Sequence, residues 1–255
     1  MKTRPIVALQ LYTVRGAVEK NMADTLRQVA AMGYEGVEIG GSFGELDAGS
    51  TKRLCDELGL KVIAMHTGVD ALQNGFDQIA EDALILDTKY VVIAYSGEEH
   101  RSREGALKLA AILNELGAKL NSSGLQLLYH NHDFELVQYD GETMFDILLN
   151  NTDSNLLKAE VDSFWVKKGG HDAAQFIGKH KGRVPLVHLK DMTNDARETF
   201  AEVGNGKMSW PEIFAAAEDG DVYAYIVEQD DCGERDPMQS IQISIDNLKQ
   251  MGKLN

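Results

Sequence analysis

Leu125–Leu136 reads LQLLYHNHDFEL, an apolar run that ends in His130, Asn131, His132, Asp133 and Glu135. A strand that is apolar along its length and carries ligand-type side chains at its carboxyl end is what an active site on a parallel sheet requires. The pattern recurs on both sides of this stretch. Short apolar runs rich in β-branched residues alternate with longer segments of helical period, eight of each. The other strand-like runs are Ile6–Thr13, Gly36–Gly40, Lys61–His66, Tyr90–Tyr95, Leu156–Asp162, Val184–Asp191 and Tyr223–Asp230. Helices are expected over Met22–Met32, Thr51–Leu58, Gly75–Leu86, Ser102–Asn121, Met144–Leu149, Asp172–Lys179, Trp210–Glu218 and Pro237–Met251, with Gly33 and Gly59 as stop signals. Eight such units in 255 residues leave no sequence for another domain. They predict an α/β fold, a single-domain (β/α)₈ TIM barrel over residues 1–255, with a doubly wound open sheet as the alternative.

The composition is that of a folded soluble chain, 44% hydrophobic and 25% charged, with four prolines and no low-complexity tract. A formal net charge of −15 argues against nucleic acid as a partner, because phosphate contacts need clustered Lys and Arg. A small, uncharged or metal-bridged ligand fits better. Cys55 and Cys232 lack metal-ligand spacing and a disulfide framework, which favours a reducing compartment. The start MKTRPIVALQ has no signal-type apolar core, and no stretch approaches the 18 or so apolar residues of a membrane span, so a cytoplasmic location is expected.

In a barrel, the carboxyl ends of the strands carry the chemistry. Residues two apart on a strand share a side, which pairs Gln10 with Tyr12, His130 with His132, Glu160 with Asp162, His188 with Lys190 and Glu228 with Asp230. Glu38 and His66 join them from strands two and three. Strands five to eight thus offer His, Asp, His and Glu, a set suited to one divalent ion, Mn²⁺, Co²⁺, Zn²⁺ or Mg²⁺. Any one of these residues alone reads as a packed histidine or a solvated acid; their recurrence at one end of four strands favours a site. Gly40, Gly41 and Gly44 lack dinucleotide spacing, and VGNGK (Val203–Lys207) lacks the full phosphate-loop pattern, reading instead as a flexible loop able to cover the site. There is no G-x-S-x-G nucleophile elbow.

The segments LQLYTVR (Leu9–Arg15), GYEGVEIG (Gly33–Gly40), YHNHDFE (Tyr129–Glu135), EVDSFWV (Glu160–Val166), VHLKD (Val187–Asp191), VGNGKMSW (Val203–Trp210) and YIVEQD (Tyr225–Asp230) together resemble the sugar phosphate isomerase/epimerase family of the xylose isomerase-like barrels. The resemblance implies a divalent metal held by Asp162, His188 and Glu228. Where many epimerases place a Glu on strand five this chain has HNH, so its place in the strand makes His130 the fourth ligand, with His132 as second choice and Asn131 facing away. The implied reaction is isomerisation or epimerisation of a small sugar through an enediolate. Glu228 and His132 would transfer protons, the latter with an imidazole pKa near 6.5. Lys190 would stabilise oxyanion charge, and Gln10, Tyr12, Glu38, His66, Glu135 and Trp165 would bind substrate. Two alternatives stand beside it: a lyase or dehydratase acting on a keto sugar, keto glycoside or inosose, and a non-catalytic sugar-binding barrel. The resemblance also implies a tendency toward homo-oligomers. A tri-zinc DNA-repair endonuclease is disfavoured by Trp165, which stands where that chemistry needs a His, and by the acidic charge.

Overall fold

The computed structural model describes residues 4–254; residues 1–3 and 255 of the expected domain lie outside the described residues. Eight parallel strands close into a barrel: β1 (Ile6–Gln10), β2 (Gly36–Ile39), β3 (Lys61–Gly68), β4 (Tyr90–Tyr95), β5 (Gln126–His130), β6 (Leu157–Asp162), β7 (Leu186–Leu189) and β8 (Ala224–Val227). They stand in chain order, and β1 pairs with both β2 and β8, so the open-sheet alternative fails. Around them run α1 (Arg15–Met32), α2 (Ala48–Leu58), α3 (Val69–Asn74), α4 (Phe76–Ile85), α5 (Arg103–Ser122), α6 (Met144–Asn150), α7 (Ser163–Lys168), α8 (Ala173–Lys179), α9 (Trp210–Asp219) and α10 (Pro237–Gln250). Among the described residues no helix is long and apolar enough to cross a membrane.

Each strand has two fates along its length. Its inward residues are first apolar: Ala8, Ala64, Val92, Leu128, Leu186, Ala224 and Ile226 are buried in one cluster that plugs the barrel. A larger apolar cluster fills the space between strands and helices. Above the plug the inward positions turn polar, and several of those residues lie just beyond the hydrogen-bonded ladder. Strands seven and eight are therefore shorter than expected, and Lys190, Glu228 and Asp230 sit past their ends, over the barrel mouth.

Several helices depart from the expected set: α2 starts three residues early at Ala48, and α3 was not expected. For α1 and α7 the physical reason is plain. Helix α1 begins at Arg15 and is interrupted at Asn21 (φ −166°, ψ 93°). Its second part restarts where Glu45 accepts the Met22 and Ala23 N–H groups at 2.7 and 3.2 Å, and only that part shows regular apolar period. Helix α7 was not expected; Phe164, Trp165 and Val166 are only middling helix formers by propensity. It forms because Asp162 Oδ1 accepts the Trp165 N–H at 2.9 Å as an N-cap.

Candidate active site and metal centre

Strand register sets the site. His130 lies beside Glu160, Asp162 beside His188, and Gln10 beside Glu38. The polar side chains that result form two storeys. In the lower one, Glu160 Oε1 is 2.8 Å from His66 Nε2, 3.0 Å from His130 Nδ1 and 3.0 Å from His188 Nε2. Glu38 Oε2 reaches His188 Nε2 at 2.8 Å and His66 Nε2 at 3.2 Å, and accepts the Gln10 amide at 2.8 Å. In the upper storey, His188 Nδ1 is 3.0 Å from Glu228 Oε2 and 4.0 Å from Asp162 Oδ2, while His130 Nε2 is 3.9 Å from Asp162 Oδ2. The Lys190 ammonium meets Glu228 at 2.6 Å, Asp162 at 2.9 Å and Asp230 at 2.9 Å.

Burial and charge compete at every member. Burial alone would push Glu160 and Glu228 up, but the imidazoles around Glu160, and Lys190 with His188 beside Glu228, hold both carboxyls well below the usual range. Burial would likewise discharge His188, His66 and Lys190. The surrounding carboxylates outweigh it, raising His188 and Lys190 and taking His66 up to about 10. At His132 the pull of the Glu228 carboxylate is outweighed. Burial, followed by repulsion from His130 and Lys190, pushes it down to about 2, so the expectation of an ordinary imidazole acid there is corrected: His132 is neutral at pH 7.

The donor set fits a divalent cation. Ligand atoms of His130, Asp162, His188 and Glu228 lie within 4.8 Å of one another, and all four residues are buried. Asp162 Oδ2 is buried without a hydrogen-bond partner; its contact with Lys190 is an ion pair without hydrogen-bond geometry. A buried carboxylate oxygen left open in this way is costly unless something binds it. Among the described residues a second group, His66, His130, Glu160 and His188, also meets this distance condition. His132 belongs to neither.

A cavity of 380 Å³ opens above, lined by His66, His130, His132, Glu228 and Asp230, with exposed Tyr12 and Tyr95 at its rim. Of the expected substrate contacts, Tyr12 and His66 line it. Glu38 is fully buried beneath, and Gln10 is consumed by Glu38 and by the Tyr12 N–H, which its Oε1 accepts at 3.0 Å. Gly40 packs on that amide: a Cβ there would stand 2.8 Å from Gln10 Oε1. Trp165 is half-buried beside His132, with ring centroids 5.3 Å apart. The expectation for Glu135 is corrected. It is fully buried away from the cavity and accepts the Tyr129 hydroxyl at 2.7 Å and the His132 N–H at 2.8 Å. Asn131 faces away as expected, its Oδ1 accepting the Asp162 N–H at 3.0 Å.

Sequence reasoning gave no role to Glu160, Asp230 or Tyr95. The two-residue spacing that singled out Asp162 and Glu228 already marked the first two. The VGNGKMSW loop is not a cover for the site. Asp191, pointing out of the barrel, accepts the N–H groups of Met192, Gly204, Gly206 and Met208 and the Trp210 indole N–H at 2.8–3.1 Å, and so pins the loop. A Cβ at Gly206 would collide with Asp191 Oδ1.

The sequence pattern of the xylose isomerase-like TIM barrels matches residues 26–251. The chain belongs to that family. Within it, the chain is 29% identical to a Clostridium perfringens protein named inosose dehydratase, over 71% of this chain and 60% of that one. Identity to the Salmonella typhimurium protein of the same name is 25%, over 69% and 65%. The chain thus spans about 60% of the length of the Clostridium perfringens relative. The barrel superposes on a sugar phosphate isomerase/epimerase from Parabacteroides distasonis with a TM-score of 0.86 at 21% identity, covering 99% of this chain and 100% of that one. It superposes on the 3-keto-D-glucoside 4-epimerase of E. coli with a TM-score of 0.72 at 19% identity, covering 97% and 100%. These likenesses show a shared fold.

Proposed function

We propose that the protein is a divalent-metal-dependent sugar isomerase or epimerase that moves a proton on a carbon next to a carbonyl of a small, neutral sugar or keto polyol, by way of an enediolate. The observation that carries the reading is the convergence of His130, Asp162, His188 and Glu228 from four strands, with His130 and Glu228 in the cavity lining, Asp162 and His188 buried behind them, and Glu228 held ionised. These four would hold the cation, which when bound supplies electrophilic pull on a carbonyl and its neighbouring hydroxyl.

The chain's own groups divide the remaining work. Glu228 is the anionic base at the cavity wall. Lys190, kept charged by three carboxylates, is fully buried outside the cavity lining, so against the expectation of a direct oxyanion contact its charge acts from behind Glu228 and Asp230. His66 and His132 reach the cavity from strands that each stand three places round the ring from β8, so they address the substrate from other sides than Glu228. His132, neutral, serves hydroxyls as a hydrogen-bond partner. The cavity lining holds neither Arg nor Lys, which supports an unphosphorylated substrate. A purely sugar-binding barrel would leave the buried cluster of ionised carboxylates without a use. We also place the enzyme in the cytoplasm, in keeping with two free cysteines, of which Cys55 has a thiol pushed up by burial to about 11.

Dehydration is the second reading, favoured by the relatives named inosose dehydratase and by imidazoles, rather than a second glutamate, on the far sides of the cavity. In it, the base takes the proton next to the carbonyl, and the neighbouring hydroxyl leaves as water with a proton from an acid. One experiment separates the two. The protein loaded with Mn²⁺ is incubated in D₂O with a keto-inositol and, separately, with 3-keto-glucose, and followed by NMR. Deuterium at the carbon next to the carbonyl with inversion supports epimerisation, and loss of a hydroxyl carbon signal supports dehydration. No exchange and no product with either compound would sink both.

A further inference from the structure

Two overlapping groups share His130 and His188, and the structure distinguishes their roles. Each group has two members in the cavity lining, His66 and His130 in the lower and His130 and Glu228 in the upper. The upper group alone sets two carboxylates, Asp162 and Glu228, beside the two imidazoles, enough to neutralise a divalent cation, and its Asp162 Oδ2 lacks a hydrogen-bond partner, so the cation is assigned there. Each of the two shared histidines then has one ring nitrogen turned down and one turned up, but not the same one. His130 turns Nδ1 to Glu160 and Nε2 toward Asp162. His188 turns Nε2 to Glu160 and Glu38, and Nδ1 toward Glu228 and Asp162. A neutral imidazole carries a single N–H, and the nitrogen that donates it to a carboxylate leaves the lone pair on the other. Carboxylates commonly fix metal-binding histidines in this way.

We propose that Glu160 is the positioning residue of the metal centre: its Oε1 holds the lower N–H of both histidines, so that His130 offers Nε2 and His188 offers Nδ1 to a divalent cation. Resting on the metal reading above but not on any substrate, this assigns a role to a carboxylate with no place in the four-ligand set. The same oxygen also meets His66 Nε2 at 2.8 Å, so the third imidazole is ordered by the same anchor and left facing the cavity. Glu38 is the auxiliary anchor, shared by His188 and His66.

The test uses the metal alone. In ¹⁵N spectra of the Zn²⁺-loaded wild-type protein, His130 is expected to be protonated at Nδ1 and metal-bound at Nε2, and His188 the reverse. Glu160→Gln keeps the side-chain size and one acceptor oxygen but removes the charge. In Co²⁺ titrations read by visible absorption it should weaken binding roughly 10–100-fold while leaving the band positions in place. Asp162→Asn, which alters a ligand, should shift the bands. The same tautomer at both histidines, a band shift in Glu160→Gln, or affinity within twofold of wild type would each overturn the proposal. The wild-type spectra decide even if Glu160→Gln does not fold. Failure to bind Zn²⁺ or Co²⁺ would remove the metal reading as well, whereas opposite tautomers with no turnover on any keto sugar would count against the reaction alone.

Discussion

Asp162 closes strand six and Asp191 follows strand seven; both are fully buried, and they are satisfied in opposite ways. Asp191 points out of the barrel and accepts five N–H groups, four from the backbone and one from an indole. Its hydrogen-bonding capacity is used up by groups of the fold. Asp162 points inward; one oxygen caps α7 and the other stands open among Lys190, His130 and His188. A carboxylate saturated by N–H donors is a structural device, whereas one with a free oxygen among ionisable neighbours is available to a ligand and is a burden to the empty fold.

The largest expected effect tests the saturated member. Asp191→Ala strands five donors, several of them in the buried base of the VGNGKMSW loop, and should cost about 3–5 kcal/mol. That corresponds to a fall in Tm of roughly 6–20 °C for a chain of this size. Thermal unfolding of the metal-free protein measures it. A loss of under about 1 kcal/mol would mean that the loop holds itself and that the comparison is misplaced.

Asp162→Asn is the mirror experiment. The amide retains the cap on Trp165 and removes one charge from a crowded set of acids. The metal-free Tm should therefore stay level or rise, while turnover falls on the order of 10²–10³-fold, the scale seen when a preorganised electrostatic group is lost. Calorimetry and steady-state rates on the same preparation give both numbers. Equal losses of stability in the two variants would erase the distinction between a structural and a working carboxylate.

Strand alternation made the barrel and the inward-facing acids legible, because an apolar run capped by polar residues looks the same in sequence as in space. It failed where the ladder ends. Past His130 it gives no guide: Glu135, expected at the substrate from the resemblance, sits in the Phe134–Leu136 3-10 turn, where alternation has no meaning. Gln10 faces inward as its position implies, yet Glu38 uses its amide, a pairing across strands that no local pattern carries. The fate of His132 was hidden for the same reason. Its pKa is set by burial and by His130 and Lys190, and Lys190 is distant in sequence. Glu160 was visible as a spacing, but its role needs three imidazoles from β3, β5 and β7 to converge on one oxygen.

Glu135 offers the finest division of the comparison, since it is as buried as Asp191 but has the Tyr129 hydroxyl and the His132 N–H as its donors from other residues, with smaller help from its own N–H and from the charge of Arg101. Those two donors do not offset its desolvation, and burial pushes its carboxyl up to about 7 from an ordinary 4.5. The folded chain thus binds a proton more tightly than the unfolded one. The contribution is fully present below pH 4.5 and is lost as pH rises through 7, a change of up to about 3 kcal/mol. Glu135→Gln fits the same space: its oxygen takes the His132 N–H, and its amide donates to Tyr129, whose hydroxyl turns to Ser96, already 2.7 Å away. Plotted against pH, the Tm of wild type should therefore fall away from that of Glu135→Gln between pH 5 and 8 and approach it near pH 4. Parallel curves would mean that two donors are enough to keep a buried carboxylate ionised, and that the five around Asp191 exceed what its charge requires.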